Sequence, residues 1–391
     1  MLGIDVLEAT GFAPLQGKRV GLLTHPAGVN RRGQPTIDVL RRAPQVDLVA
    51  LFGPEHGIYG DEKANILVDD RVDPRTGLPV FSLYGKFRTP TPKMLQGLDA
   101  LIVDLQDIGT RSYTYVSCMR LAMTACFEAG VTFIVLDRPN PLGGLKVDGP
   151  PLDAKWKSYV GAFRVPYVHG LTIGELARMA KNAPGVLDLD DATRQAGKLL
   201  VVPMRGWTRA MRWPETGLRW IPTSPMIPDF AAVVGYPMVG LGTYLGDFSH
   251  GIGPNYPFRG IAHHGTRIEQ LESLLRALNV PGVAVQRVQV TDAKGRPSEG
   301  LYLGIDNWAT WNPTEMNFHL MPLACALEKD NPFASAKRST ADLFIKHMGS
   351  EAFFDAMIRD GDRVDLDHWL NVWREQAAIY QRQSQRYWLY R

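Results

Sequence analysis

The chain has 391 residues, of which 45% are hydrophobic and 21% charged, and its formal net charge is +3. This length allows two domains with at least one large core, and the nearly balanced charge gives no reason to expect a nucleic-acid partner. No run reaches the ~18 apolar residues of a membrane span, and residues 1–12 lack the pattern of a secretory signal. We therefore expect a cytoplasmic protein without membrane contact, or a periplasmic one if a leader precedes this sequence.

The first half of the chain alternates between predicted strands and predicted helices. Short apolar runs that are rich in Val, Ile and Leu are typical of strands buried on both faces of a sheet. These runs are "RVGLLT", "VDLVALFG", "VFSLYG", "ALIVDLQ" and "TFIVLDRP". Between them, "PTIDVLRRA" and "YVSCMRLAMTACFEAG" have the end residues or the four-residue apolar spacing of helices. The alternation predicts an α/β fold with a Rossmann-like, mostly parallel sheet.

The second half of the chain has a different composition. Residues 207–265 are dense in Pro, Gly and aromatic residues, as in loops that cover a site or join domains. A helix is predicted in "TRIEQLESLLRALNV", strands in "GVAVQRVQV" and "GLYLGIDNW", and further helices up to the end. We predict a Rossmann-like catalytic domain over residues 1–230 and a smaller α+β domain over residues 231–391 that completes a cleft.

Two of the three cysteines fall in one predicted helix. Cys118 and Cys126 are eight residues apart there, which is about 12 Å along a helix axis. That separation is too large for a disulfide bond. We therefore expect reduced, buried thiols.

Polar side chains follow four of the predicted strands. His25 follows the first strand, and Glu55 and His56 follow the second. Because ligands of parallel sheets bind beyond the carboxyl ends of the strands, we expect these side chains to share a functional site. The next two strands are followed by Asp107, Arg111, Tyr113, Tyr115, Arg138 and Asn140.

Several common kinds of site are missing from the sequence. It has no G-x-G-x-x-G fingerprint after an early strand, no P-loop and no G-x-S-x-G elbow. His56, Asp104, Asp107 and His169 offer nitrogen and oxygen ligands, but the chain has neither H-E-x-x-H nor paired cysteines. We expect no metal and no cofactor, which leaves chemistry based on carboxylates.

Glu55 is the main candidate for that chemistry. A carboxyl group that is partly buried at the end of an apolar strand tends to keep its proton, and it can then protonate a leaving oxygen. Glu55 could instead cap a helix or form an ion pair with Arg111 or Lys63. Asp107 could likewise cap a turn, and Tyr115 could pack the start of a helix. The residues alone leave these alternatives open.

Four motifs in order resemble the exo-β-N-acetylmuramidase family of the NamZ type, formerly a domain-of-unknown-function family. They are "LFGPEHGIYGD", "GLPVFSLYGKFRTPTPKML", "DLQDIGTRSYTYVS" and "VLDRPNPLGG". The similarity extends through "GLTIGELA", "VVPMRGW" and "PFRG". It implies a Rossmann-like domain, a smaller C-terminal domain and an active site in the cleft between them. It also implies release of N-acetylmuramic acid from the non-reducing end of peptidoglycan fragments.

The resemblance implies roles for individual residues. Glu55 matches the acid of the family's G-P-E-H-G motif and is predicted to be the general acid/base, with His56 as its orienting neighbour. Asp107 is the predicted second carboxylate and Asp104 a weaker candidate, although the substrate's acetamide could replace that group. Since the substrate carries a lactyl carboxylate, an arginine is expected to bind it. The predicted substrate-binding residues are His25, Gln106, Arg111, Tyr113, Tyr115, Arg138, Asn140 and His169.

One segment departs from the family pattern. In "LGTYLGDFSHGIGPN", Leu241 replaces an acidic residue and an expected arginine is missing. A non-catalytic protein that binds amino sugars on the same fold is therefore the alternative function, and a hydrolase of another amino sugar is a third. In every case the expected partners are amino sugars derived from peptidoglycan, without nucleic acid or membrane. The sequence does not predict the oligomeric state.

Overall fold

The computed structural model describes residues 1–60, 70–253, 255–291 and 294–391. Its strands are β1 (Arg19–Thr24), β2 (Asp47–Gly53), β3 (Arg71–Val72), β4 (Pro79–Ser82), β5 (Ala100–Asp104), β6 (Thr132–Leu136), β7 (Asp148–Pro151), β8 (Pro166–Val168), β9 (Leu199–Val202), β10 (Phe248–Ser249), β11 (Gly260–His263), β12 (Val283–Thr291) and β13 (Pro297–Ile305). Its helices are α1 (Gly3–Ala9), α2 (Thr36–Arg42), α3 (Pro92–Leu95), α4 (Thr114–Glu128), α5 (Ile173–Asn182), α6 (Asp191–Ala196), α7 (Phe230–Val239), α8 (Ile268–Ala277), α9 (Glu315–Leu327), α10 (Arg338–Met348), α11 (Glu351–Asp360) and α12 (Leu366–Ser384).

Seven strands of the N-terminal domain form one sheet in the order β3-β4-β2-β1-β5-β6-β9. Neighbouring strands are parallel, apart from the antiparallel pair of β3 and β4. Helices α2, α4 and α5 lie in the connections between parallel strands, as such crossovers require. The predicted Rossmann-like, mostly parallel sheet is confirmed.

Strand β5 shows why the apolar runs are continuous. Leu101 and Val103 pack into a core that includes Met119 of α4. The alternate residues, Ala100 and Ile102, pack into the core on the opposite face, which includes α1. Because both faces are covered, each residue of β5 is buried, and the strand has no polar face.

The smaller C-terminal domain has an antiparallel sheet in the order β10-β11-β13-β12. Its helices pack around a cluster of aromatic rings. The ring of Trp373 in α12 lies 4.4 Å from that of Phe318 in α9 and 5.1 Å from that of Phe353 in α11, measured between centroids. The predicted α/β fold with a smaller α+β domain is therefore confirmed.

The end of the chain returns to the N-terminal domain. The Tyr390 hydroxyl donates to Oδ2 of Asp137, at the end of β6, over 2.5 Å, and accepts from the Met204 amide at 2.9 Å. The Leu389 amide donates to Oε1 of Glu175 in α5 at 2.8 Å. These bonds fasten the C-terminal segment to the sheet.

Cys118 and Cys126 are buried and unbridged on α4, as predicted. Among the helices within the described ranges, none combines the length and apolar character needed to cross a bilayer.

Candidate active site

A cavity of about 740 Å³ lies between the carboxyl edge of the large sheet and the C-terminal domain. Its walls contain several tyrosines from both domains. The N-terminal domain contributes Glu55, His56, Tyr84, Arg88, Tyr113, Thr114, Tyr115 and Tyr159, and the C-terminal domain contributes Tyr236, Tyr244, Phe258, Lys346 and His347.

A tight turn after β2 places Glu55 in this cavity. The strand ends at Gly53, and the amide of Gly57 closes the turn by donating to the Pro54 carbonyl at 3.0 Å. His56 has a φ of 70°, a left-handed conformation that costs a non-glycine residue about 1–2 kcal/mol. Strain of this kind persists where the surroundings impose it, and it is concentrated at functional sites.

The Glu55 carboxylate lies at the start of helix α4. The hydroxyl of Thr114, the first residue of that helix, donates to Oε2 of Glu55 at 2.8 Å. The N-terminal end of a helix carries partial positive charge. Both features stabilise a negative charge on Glu55, which is the charge that remains once a carboxylic acid has donated its proton.

Tyrosines surround this carboxylate. Burial raises the pKa of Tyr84, and the charge of Glu55 raises it further. The pKa values of Tyr113, Tyr115 and Tyr159 are also raised by burial and, to a smaller extent, by Glu55. All four phenols are therefore neutral at neutral pH. Their rings and hydroxyls suit a sugar, which presents C–H faces together with polar groups.

Two cationic side chains also line the cavity. The Arg88 guanidinium contacts the rings of Tyr84 and Tyr159, with its carbon 4.0 Å and 4.2 Å from their centroids. Lys346 projects from α10 on the opposite wall. Its neighbour His347 is neutral at neutral pH, because burial and then the charge of Arg111 lower the pKa of His347 to about 4.

The structure brings together four of the predicted site residues. Glu55, His56, Tyr113 and Tyr115 all line the cavity. Both tyrosines are held by Thr223, in the loop that precedes α7. The Tyr113 hydroxyl donates to Oγ1 of Thr223 at 2.7 Å, and the Tyr115 hydroxyl donates to the Thr223 carbonyl at 2.6 Å.

Gln106 and Arg138 line a different cavity of about 300 Å³, beside Trp213 and Trp220. Arg138 donates through Nε and Nη2 to the two carboxylate oxygens of Asp104, at 2.6 Å and 2.9 Å. This buried pair occupies the guanidinium and also removes Asp104 from the candidates for a second catalytic carboxylate.

Arg111 is fully buried and does not line either of these cavities. Its terminal nitrogens donate to four backbone carbonyls, those of Pro150, Val165, His347 and Met348. The expectation that Arg111 or Arg138 binds a substrate carboxylate is therefore revised, because both already have buried partners. Lys63, the other ion-pair partner considered for Glu55, lies outside the described residues.

Asp107 and His169 are buried and do not line the cavity. Oδ2 of Asp107 accepts from the Gly109 amide at 2.9 Å and lies 3.8 Å from Nε2 of His169. Burial raises the pKa of Asp107 to about 7 and lowers that of His169 to about 3, so the two form no ion pair at neutral pH. This placement argues against Asp107 as the second catalytic carboxylate.

His25 and Asn140 have supporting positions as well. Nε2 of His25 accepts from the Gln106 amide at 2.9 Å, and its ring packs 4.7 Å from that of Tyr115. Asn140 donates to the Leu171 carbonyl and accepts from the Leu142 amide, both at 3.0 Å. These side chains hold the strand ends in place instead of facing the cavity.

Several lining residues were not predicted. Tyr84 and Arg88 lie inside "GLPVFSLYGKFRTPTPKML", one of the motifs that carry the family resemblance, and Thr114 lies between two predicted tyrosines, so a local signal existed for these three. Tyr159 and Lys346 come from segments far away in the sequence, and no local pattern marks them. Within the described part of the chain, no group of three or more His, Cys, Asp and Glu side chains is arranged to hold a metal ion.

A carboxylic acid in a tyrosine-lined cavity between two domains is the arrangement expected of an enzyme that acts on carbohydrates. Family models described as exo-beta-N-acetylmuramidase NamZ, N-terminal and C-terminal, match residues 20–231 and 234–390. The chain is also 41% identical, over 310 residues, to the peptidoglycan beta-N-acetylmuramidase NamZ of Bacillus subtilis (strain 168), covering 79% of this chain and 72% of that protein. The chain belongs to the exo-β-N-acetylmuramidase NamZ family and is a glycoside hydrolase.

Two crystal structures of DUF1343 family proteins from Bacteroides fragilis NCTC 9343 have the same fold. One is 39% identical, with a TM-score of 0.89 over 100% of this chain and 98% of that chain. The other is 26% identical, with a TM-score of 0.73 over 100% of this chain and 99% of that chain.

Proposed function

We propose that this protein is an exo-acting β-N-acetylmuramidase that releases N-acetylmuramic acid from the non-reducing end of peptidoglycan fragments, with Glu55 as its general acid/base. The observation that carries the proposal is the position of Glu55. Its carboxylate faces a cavity large enough for a sugar, and it accepts a hydrogen bond from Thr114 at the N-terminus of α4. The Bacillus subtilis relative is a peptidoglycan β-N-acetylmuramidase, which supports the substrate class.

In this proposal Glu55 protonates the glycosidic oxygen as the bond to the anomeric carbon breaks. The carboxylate that remains is stabilised by the Thr114 hydroxyl and by the α4 N-terminus. It can then accept a proton from the water that completes hydrolysis. His56 fixes the turn that carries Glu55 and contacts the sugar from the cavity wall.

The two family models meet between residues 231 and 234, and α7 begins at Phe230. We accordingly propose that the domain boundary lies near residue 230. Both sides of it contribute to the cavity wall, so the N-terminal domain alone would leave the site open toward Tyr236, Tyr244 and Lys346.

The proposal is tested with Glu55→Gln on a disaccharide of N-acetylmuramic acid β-linked to N-acetylglucosamine. General acid–base catalysis contributes about 10²- to 10⁴-fold, so kcat should fall by that factor. The matched control is Glu128→Gln, an exposed carboxylate at the other end of α4; its kcat should stay within about twofold of wild type, as expected of a surface substitution away from the site.

Release of free N-acetylmuramic acid is followed by chromatography. Near-wild-type turnover by Glu55→Gln would contradict the assigned role. Binding of the disaccharide without any release by the wild type would instead favour a protein that only binds amino sugars.

A further inference from the structure

The catalytic cavity holds more positive than negative charge. Among its described lining residues, Arg88 and Lys346 are cationic, Glu55 is the one carboxylate, and His347 is neutral for the reason given above. When Glu55 is protonated, as a general acid must be, both cations remain without a counter-charge in the wall. Low-dielectric walls strengthen the field of such charges.

Neither cation is neutralised by a carboxylate elsewhere in the described part of the chain. The groups that act most strongly on Arg88 are the phenols of Tyr84 and Tyr159, and its Nη1 is buried without a hydrogen-bond partner. The Lys346 side chain forms no hydrogen bond or ion pair with a described residue. This differs from Arg111 and Arg138, whose donors have partners inside the protein.

The position of Arg88 is fixed before any ligand binds. Its guanidinium contacts two rings whose centroids are 5.9 Å apart. Contact with two rings restricts the orientation of the planar guanidinium, so less side-chain entropy is lost on binding. One of those rings, Tyr84, also interacts with Glu55, so a single tyrosine separates the cation from the proposed acid.

We propose that Arg88, assisted by Lys346, binds the lactyl carboxylate of the substrate and thereby makes the enzyme select N-acetylmuramoyl sugars over uncharged N-acetylhexosamines. The inference rests on the proposed function, and it assigns to Arg88 the contact that sequence reasoning gave to Arg111 or Arg138. The lactyl ether is attached to the ring carbon two positions from the anomeric carbon. A cation one side chain away from the acid is placed to reach it.

The test compares 4-nitrophenyl N-acetyl-β-muramide with its lactamide, in which the carboxylate is replaced by an uncharged amide of nearly the same shape. The wild type should prefer the carboxylate by about 10- to 100-fold in kcat/KM, as expected for a charge-assisted hydrogen bond. Arg88→Met should reduce that preference to within about threefold by slowing only the carboxylate substrate. Lys346→Met should reduce it in the same direction by a smaller factor.

Arg75→Met is the matched control. Arg75 also stacks on a tyrosine, 5.3 Å from the ring centroid of Tyr59, but it pairs with Asp38 and does not line the cavity. Its kcat/KM for both substrates should equal that of the wild type. If Arg88→Met lowers the melting temperature, Arg88→Lys is used in its place. Arg88→Lys should keep only part of the preference for the carboxylate substrate, because lysine lacks the planar guanidinium group.

The inference is overturned if the wild type hydrolyses both compounds equally well, or if Arg88→Met slows both by the same factor. If the wild type hydrolyses neither compound, the proposed function fails. In that event calorimetric titration with N-acetylmuramic acid and its lactamide tests the inference by itself. A tighter dissociation constant for the acid that disappears in Arg88→Met supports it, and equal constants overturn it.

Discussion

Replacement of Arg111 should destabilise the fold without changing the affinity for substrate. Nη1 donates to the carbonyls of Pro150 and Val165 at 2.8 Å and 2.7 Å, and Nη2 donates to those of His347 and Met348 at 3.0 Å and 2.8 Å. The last two carbonyls belong to the final residues of α10, where a helix leaves its carbonyls without partners in the helix itself. Arg111 therefore joins the C-terminal domain to the β7–β8 region of the N-terminal domain.

The magnitude follows from these contacts. Burial lowers the pKa of Arg111 to about 10, so the side chain is still charged at neutral pH. Each carbonyl left without a donor costs about 1–3 kcal/mol, and relaxation and entering water recover part of that sum. We expect Arg111→Met to lower the free energy of unfolding by about 3–5 kcal/mol, which is the part of that sum that relaxation and entering water do not recover. Arg111→Lys, which keeps the charge but lacks the planar guanidinium group, should cost about half as much.

Urea unfolding followed by tryptophan fluorescence measures the stability, and KM for N-acetylmuramoyl substrates is measured at 15 °C, where both variants remain folded. The expected result is a lower unfolding midpoint with KM within about twofold of wild type, because Arg111 does not line the cavity. If either variant kept its stability but raised KM tenfold, Arg111 would bind substrate and the reasoning would be refuted.

Three further predictions concern buried or strained groups. The pKa of Asp107 is raised to about 7 in the folded state. Its stabilising contribution is therefore complete below the unfolded pKa and is lost as pH rises toward 7. Asp107→Asn should gain stability relative to wild type between about pH 4 and 7, by up to ~1.4 kcal/mol per pH unit. Urea unfolding at three pH values checks this, and parallel curves for the two proteins would contradict it. Tyr390→Phe removes the hydroxyl that links Asp137 to the Met204 amide and should cost about 1–3 kcal/mol, seen as a lower melting temperature; an unchanged value would mean that the C-terminal segment contributes no stability. His56→Gly should be more stable than His56→Ala by about 1 kcal/mol, because only glycine adopts the φ of 70° without strain; equal stabilities would show that the turn relaxes.

Most of the large sheet could be predicted from local patterns in the sequence. Strand β5 and helix α4 were recognisable because their side chains follow the periods of a two-sided strand and of a helix. The rule that ligands bind at the carboxyl ends of parallel strands pointed to the edge of the sheet where Glu55 lines the cavity. These features depend on residues that are close together in the sequence.

The roles of the arginines depend on contacts between distant segments, and these were not predictable. Nothing in the sequence near Arg111 shows that four carbonyls surround it, and two of these belong to α10. Arg138 was expected to bind substrate, but it pairs with Asp104 across the neighbouring strand end. Tyr159 and Lys346 reach the cavity from segments without any local signature.

The central claim is that Glu55 supplies a proton to the leaving group. This claim is tested most directly by measuring how the rate loss caused by Glu55→Gln depends on the leaving group. A sugar leaves as a strongly basic alkoxide unless it is protonated, whereas 4-nitrophenolate leaves without help. Single-turnover rates of Glu55→Gln and wild type are compared on the muramoyl–glucosamine disaccharide and on 4-nitrophenyl N-acetyl-β-muramide. We predict a loss of about 10²- to 10⁴-fold on the disaccharide and a much smaller loss on the aryl glycoside. Equal losses on both substrates would contradict the role of Glu55 as the general acid.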